Sequence, residues 1–175
     1  MTIGRIKKPI LIIMTSLILI LGTFALVLPY QEAEAAPAIP CIPDIDDETV
    51  NRNIVVKAGP VCDILNGAIV NGNIRVAKGG NLRCENSTIN GNLIARGANF
   101  VQLTNCTVTG KVSVLNGGFF GLFVGSILEG NLTLRGNLNI DLFNSEVRGN
   151  AVCARNGDPD AAGMTYLGTN KGCPV

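Results

Sequence analysis

Apolar and polar residues alternate with period two through much of the chain, in short runs broken by turns containing Gly and Asn. Ile74-Arg75-Val76, Leu82-Arg83-Cys84 and Val101-Gln102-Leu103 are examples. Such alternation marks half-buried strands, because successive side chains of a strand point to opposite faces. The body of the chain sustains no helical period over a useful length.

The runs belong to a repeat. Gly72, Gly91, Gly110, Gly130 and Gly149 recur at intervals of 19, 19, 20 and 19 residues. A further unit fits upstream with Arg52 in the Gly place, and a partial one begins at Gly149. Each unit reads Gly-Asn-apolar-x-apolar, a Gly-containing turn, apolar-x-apolar, a short Asn/Ser turn, then x-apolar-x. About 20 residues cannot bury an apolar face alone, so the units must stack. Three short strands and three turns per unit predict an all-β fold, a single-stranded parallel β-helix (β-solenoid). About five coils of 19–20 residues are expected over residues 52–153, right-handed by the usual rule for parallel crossovers.

Stacking sorts the side chains into columns. Ile54, Ile74, Leu93, Val112 and Leu132 form one inward column; Val56, Val76, Ala95, Val114 and Leu134 form a second. The second strand supplies Cys62, Leu82, Val101, Phe120 and Ile140, then Ile64, Cys84, Leu103, Leu122 and Leu142. The third supplies Val70, Ile89, Val108, Leu128 and Val147. Each larger side chain contributes about 1.5–3 kcal/mol on burial, which helps offset the entropy of ordering a coil. Two turn columns are rich in Asn. One runs Asn53, Asn73, Asn92, Asn131 and Asn150, broken by Lys111; the other runs Asn66, Asn86, Asn105 and Asn144, broken by Val124. Stacked Asn amides bond from coil to coil, and Asn tolerates turn geometry. Asn86, Asn105 and Asn131 also open Asn-x-Ser/Thr sequons, a match that an Asn-rich repeat produces by chance.

The first 35 residues differ. Arg5, Lys7 and Lys8 precede an apolar run from Ile10 to Leu28, Pro29 ends it, and Ala33-Glu34-Ala35 follows. That order predicts a secretory signal peptide over residues 1–35; an uncleaved membrane anchor is the alternative. Residues 36–51, with Pro37, Pro40 and Pro43 before the acidic run Asp44, Asp46, Asp47 and Glu48, are expected to form a lead-in cap, and residues 154–175 a C-terminal cap. The acidic spacing matches no calcium loop. Export makes the protein secreted or attached to the cell surface, and reads the cysteines as disulfides. All six lie after the cleavage site, and adjacency favours Cys41 with Cys62, Cys84 with Cys106, and Cys153 with Cys173 among the connectivities open to them.

Charge and chemistry narrow the function. Cleavage removes three basic and two acidic residues and leaves eleven of each. A neutral mature chain gives no reason to expect nucleic acid or, once the signal is removed, a membrane as partner. With no His and no Cys-x-x-Cys in the sequence, the commonest base and the commonest zinc ligand sets are missing. No catalytic, cofactor-binding or metal-ligating residue is singled out. β-Helix enzymes acting on polysaccharides need clustered carboxylates. Asp63 and Asp141 share an outward column but lie four coils apart, roughly 19 Å, and Asp63 is expected to pair with Arg83 and Glu129 with Arg148. Ice binding needs a regular Thr face. The outward columns Val55, Arg75, Ile94, Ser113, Thr133 and Ala68/Ile69, Thr88, Thr107, Ile127, Glu146 lack one. The coil Gly110–Glu129 carries an extra residue near Val124–Gly125 and places Phe119 and Phe123 beside Phe143, a candidate contact patch.

Gly72-Asn73-Ile74-Arg75-Val76 and Gly130-Asn131-Leu132-Thr133-Leu134 resemble the polymer-forming β-helix repeats of the bactofilin type over residues 52–153. The resemblance implies stacked coils and subunits that join end to end. Bactofilins are cytoplasmic, have somewhat shorter coils and lack this Cys set. The expectation is therefore an exported, non-catalytic structural solenoid of the cell surface or matrix that associates with itself. A module binding cell-wall glycan or another protein is the alternative, and a minimal polysaccharide-active enzyme the third reading.

Overall fold

The computed structural model describes residues 37–41 and 44–175. The expected signal peptide lies outside the described residues. The rest is a parallel β-solenoid of about seven coils, with three sheets running along it. Sheet 1 stacks Ile39–Pro40, Ile54–Val56, Ile74–Val76, Leu93–Arg96, Val112–Leu115, Leu132–Arg135, Ala151–Ala154 and Asn170–Lys171. Sheet 2 stacks Asp44–Asp46, Val61–Leu65, Asn81–Glu85, Phe100–Thr104, Phe119–Phe123, Asn139–Phe143 and Pro159–Ala162. Sheet 3 stacks seven two-residue strands, from Thr49–Val50 to Thr165–Tyr166.

The register follows the repeat. Leu93 pairs with Ile74 on one side and Val112 on the other, and Val112 pairs with Leu132. All five inward columns are buried, and they form one continuous core with Phe120 its largest side chain. A sixth inward column was not expected. Ala68, Ser87, Cys106, Ser126 and Ser145 turn inwards at the corner between sheets 2 and 3. The Ser hydroxyls are satisfied locally: Ser87 donates to the Glu85 carbonyl, Ser126 to that of Phe123 and Ser145 to that of Phe143, at 2.7–2.8 Å. A buried hydroxyl without a partner would cost about 1–3 kcal/mol. Ala68 therefore does not belong to the outward column; Ile69 alone occupies it.

The number of coils exceeds the five expected. The Pro-rich lead-in already pairs in register, Ile39 with Ile54 and Ile45 with Ile64. At the far end Pro159–Ala162, Thr165–Tyr166 and Asn170–Lys171 add another coil. These stretches carry strands without the Gly-Asn signature, because parallel pairing uses backbone groups that every non-Pro residue has.

The periodic Gly has a steric cause. A Cβ on Gly91 would lie within 3 Å of the Gly72 backbone one coil away, and Gly72, Gly110, Gly130, Gly149 and Gly168 meet the same obstacle. The Asn columns have an electrostatic one. The backbone N–H of Asn73 donates to Asn53 Oδ1, that of Asn92 to Asn73 Oδ1, and that of Asn150 to Asn131 Oδ1, at 2.7–2.9 Å. In the other column Asn66, Asn86, Asn105 and Asn144 hold φ between 44° and 53°, the left-handed region that Asn tolerates. Where Val124 interrupts that column, Gly125 takes the turn with φ 76°. The extra residue of the longer coil is absorbed at this corner.

Candidate functional site

The outer face of sheet 2 carries the residues singled out as a contact patch. Each five-residue strand sends its first, third and fifth side chains outwards. Register therefore stacks Asn81, Phe100, Phe119 and Asn139 in one outward column, and Glu85, Thr104 and Phe123 in another. Phe143 is the fifth residue of the next strand and continues that column. Between them run Asp63, Arg83, Gln102, Gly121, Asp141 and Asp160.

The aromatic residues form one run. Phe100 and Phe119 have ring centroids 5.5 Å apart and planes 13° from parallel. Phe119 and Phe123 come to 6.3 Å and 20°, and Phe123 and Phe143 to 6.0 Å and 13°. The run crosses the strand between Phe119 and Phe123, which are four residues apart and reach towards each other over Gly121. A Cβ on Gly121 would collide with both rings, so this Gly creates the crossing. All four Phe are half-buried. Aromatic pairs of this kind contribute about 0.5–1.5 kcal/mol beyond their area.

The three Phe expected to lie together do so. Phe100 was missed, although it stands 19 residues before Phe119, one repeat upstream. The periodicity that located the core would have found it.

Charged residues flank the aromatic run along the same face. Arg83 donates from Nε and Nη2 to the two carboxylate oxygens of Asp63, both at 2.8 Å. The hydrogen bond to Asp63, then that carboxylate's charge, hold the guanidinium above its ordinary pKa. The pair is partly exposed, with side-chain exposure 42% for Arg83 and 14% for Asp63. Solvent screening limits it to about 1 kcal/mol. Beyond Phe119, Asp141 pairs in register with Asp160. Desolvation, then the charges of Asp160 and Asp158, raise the Asp141 carboxyl above its ordinary range. Asn139, beside it, has a buried side-chain oxygen without a protein partner. On sheet 3, Arg148 binds Glu146 at 2.6 Å and the expected Glu129 at 3.4 Å.

All six cysteines form the three expected disulfides. Cα separations are 5.8 Å for Cys41–Cys62, 6.3 Å for Cys84–Cys106 and 4.7 Å for Cys153–Cys173, within the usual range. Cys84 and Cys106 occupy different columns, yet both point into the core, and the bridge crosses one coil inside it. Three disulfides fit an oxidising, extracellular environment.

The C-terminal tail folds back on the last coil. Asn170 bonds Cys173 twice, through the Cys173 N–H and carbonyl, at 3.0 and 3.1 Å. The Tyr166 hydroxyl donates to the Pro174 carbonyl at 2.9 Å. Burial pushes the Tyr166 pKa up to about 12.

No family model, no curated protein and no solved structure matches this chain.

Proposed function

We propose that this chain is an exported, non-catalytic structural solenoid that works at the cell surface or in an extracellular matrix and associates with itself. The observation that carries the reading is where its polar side chains go. Asn53, Asn73 and Asn92 bond the next coil's backbone, while Asn51, Asn71 and Asn90 form a separate side-chain ladder at 2.7–2.8 Å. Groups of this kind in a catalytic protein would converge on a substrate; here they join one coil to the next. The three disulfides add about 3 kcal/mol each to a chain of this architecture, a use suited to persistence outside the cell.

The likeness to bactofilin-type repeats supports self-association, which in that type runs end to end. The tail held by Asn170 and Tyr166 over the last coil argues for side-by-side contacts rather than end-to-end joining. A second reading has one observation in its favour. The run of Phe100, Phe119, Phe123 and Phe143 is a half-buried, outward-facing apolar feature of a kind that binding modules use for glycan or protein. The two readings separate in one experiment. Electron microscopy and sedimentation of the purified oxidised protein are expected to reveal concentration-dependent assemblies. A chain that stays monomeric at all concentrations and is retained on cell-wall polysaccharide, with retention lost in Phe123→Ala, overturns the structural reading in favour of the binding module.

A further inference from the structure

The near-neutral charge of the solenoid conceals a separation. The strands of sheet 1 carry Arg75, Arg96, Arg135 and Lys171, all exposed, and among the described residues no carboxylate. The strands of sheet 2 carry Asp44, Asp46, Asp63, Glu85, Asp141 and Asp160, against Arg83 as their one cation. That cation is already held by Asp63. Opposite charge is thus laid along two different faces of one rigid body. Like charges stacked at the rung spacing of about 4.8 Å repel. Asp141 beside Asp160 is such a pair, and desolvation first, then the Asp160 charge, raise its pKa. The acidic stacking on sheet 2 does not help the solenoid fold.

We infer that the outer faces of sheets 1 and 2 are the two halves of a lateral contact between copies of this chain, the basic face of one molecule seating on the acidic, aromatic face of the next. The inference rests on the self-association reading and supplies its geometry. Both faces share the same rung spacing. Arg75 and Arg96 lie on adjacent strands of sheet 1, offset by two residues along the strand, and Asp141 and Asp160 lie on adjacent strands of sheet 2, so one rung separates the charges of each pair. Arg75, Val76, Ile94 and Arg96 line an open groove, which offers the Phe run an apolar floor between two guanidinium groups. Arg over an aromatic ring is a favourable contact in its own right. The contact joins unlike faces, so it does not close on itself and propagates into chains or sheets.

Size sets its strength. Seven rungs at about 4.8 Å and five-residue strands at about 3.4 Å per residue give a face of roughly 570 Å². A stable pair buries about 800 Å² per partner. A single contact is therefore weak, and assembly is reversible and dependent on concentration and salt.

The test uses sedimentation velocity on the oxidised protein and two charge-reversal variants, with circular dichroism as the folding control. Wild type is expected to associate at about 0.05 M salt and about tenfold less at about 0.5 M, where the screening length has shortened to a few ångströms. Arg96→Glu/Arg135→Glu cancels the net positive charge of the sheet 1 strands, and Asp141→Lys/Asp160→Lys nearly cancels the net negative charge of the sheet 2 strands, so each alone is expected to stay monomeric. Mixing them restores complementary faces and is expected to restore assembly. If wild type assembles but neither variant is impaired, the facial contact is wrong while self-association stands. If wild type never assembles, both fall. A wild-type chain that stays monomeric yet captures polygalacturonate through its basic face overturns the inference in favour of an anionic glycan partner.

Discussion

Asn92 Oδ1 accepts the backbone N–H of Lys111 at 2.8 Å, and Lys111 has no side-chain oxygen with which to repeat the bond one coil further on. The ladder that descends through Asn53, Asn73 and Asn92 stops there and resumes at Asn131. Lys111→Asn would supply the missing acceptor to the Asn131 N–H. A net hydrogen bond contributes about 0.5–1.5 kcal/mol. The variant is expected to be more stable by that amount in chemical denaturation, and an unchanged or lower midpoint would count against the ladder.

The Gly column makes a stronger demand. In Gly91→Ala the new methyl would meet the Gly72 backbone carbonyl, and backbone in the middle of a stack has nowhere to move. The cost is expected to be about 3 kcal/mol or more, read as a large fall in melting temperature or failure to fold. Thr107→Ala, on the outer face of the same coil, is the control, with an expected change within about 0.5 kcal/mol.

The internal bridge is expected to matter as much as the two near the ends. Cys84 and Cys106 are fully buried and close a loop of 22 residues. Cys84→Ala/Cys106→Ala loses the cross-link, worth about 3 kcal/mol, and leaves a small cavity besides. Denaturation of this double variant against wild type, both with the other two bridges intact, measures it. Equal stability would mean that the bridge does not form.

Phe123 joins two halves of the aromatic run. In Phe123→Ala the Phe100–Phe119 pair remains while Phe143 loses its neighbour. The expected cost is about 1–2 kcal/mol, accompanied by reduced near-ultraviolet circular dichroism from the ordered rings. Gly121→Ala pushes the Phe119 and Phe123 rings apart and is expected to change the same spectrum with a smaller loss of stability, because side chains yield where backbone does not.

Asp141 gives the pH dependence a definite sign. Burial, then Asp160 and Asp158, raise its folded-state pKa above the unfolded value. The native state therefore holds this proton more tightly than the unfolded chain. Its contribution to stability is complete below the unfolded pKa and is lost as pH rises through the folded one. At neutral pH the charged Asp141 is a burden. Asp141→Asn is expected to raise the melting temperature at pH 7, and the gain is expected to shrink on acidification below the carboxylate range. A gain that grows with acid would contradict the assignment.

The central coils were legible because two columns are chemically constrained. Gly72 and its successors cannot carry a side chain, and Asn73 and its successors supply an acceptor that few residues can replace; both leave a period in the sequence. Where the constraint is only backbone pairing, the period fades. Ile39–Pro40 and Pro159–Ala162 pair in register without any signature residue. In sequence Ser87, Ser126 and Ser145 look like turn residues because a hydroxyl is polar, whereas each is buried and bonded to a carbonyl two or three residues back. The aromatic patch was legible for Phe119, Phe123 and Phe143 as neighbours in the repeat. The role of Gly121 became visible only with the two rings placed over it. The division of charge between sheets 1 and 2 was present in the outward columns, but it emerges only when whole faces are compared instead of single columns.

In-register parallel stacking is the foundation of all of this, and nuclear Overhauser contacts between backbone protons test it most directly. Leu93 is expected to show interstrand contacts to residues about Ile74 on one side and about Val112 on the other, in the evenly spaced pattern of parallel strands. Close Hα–Hα contacts across these strands, the mark of antiparallel pairing, or partners displaced by one residue, would contradict it.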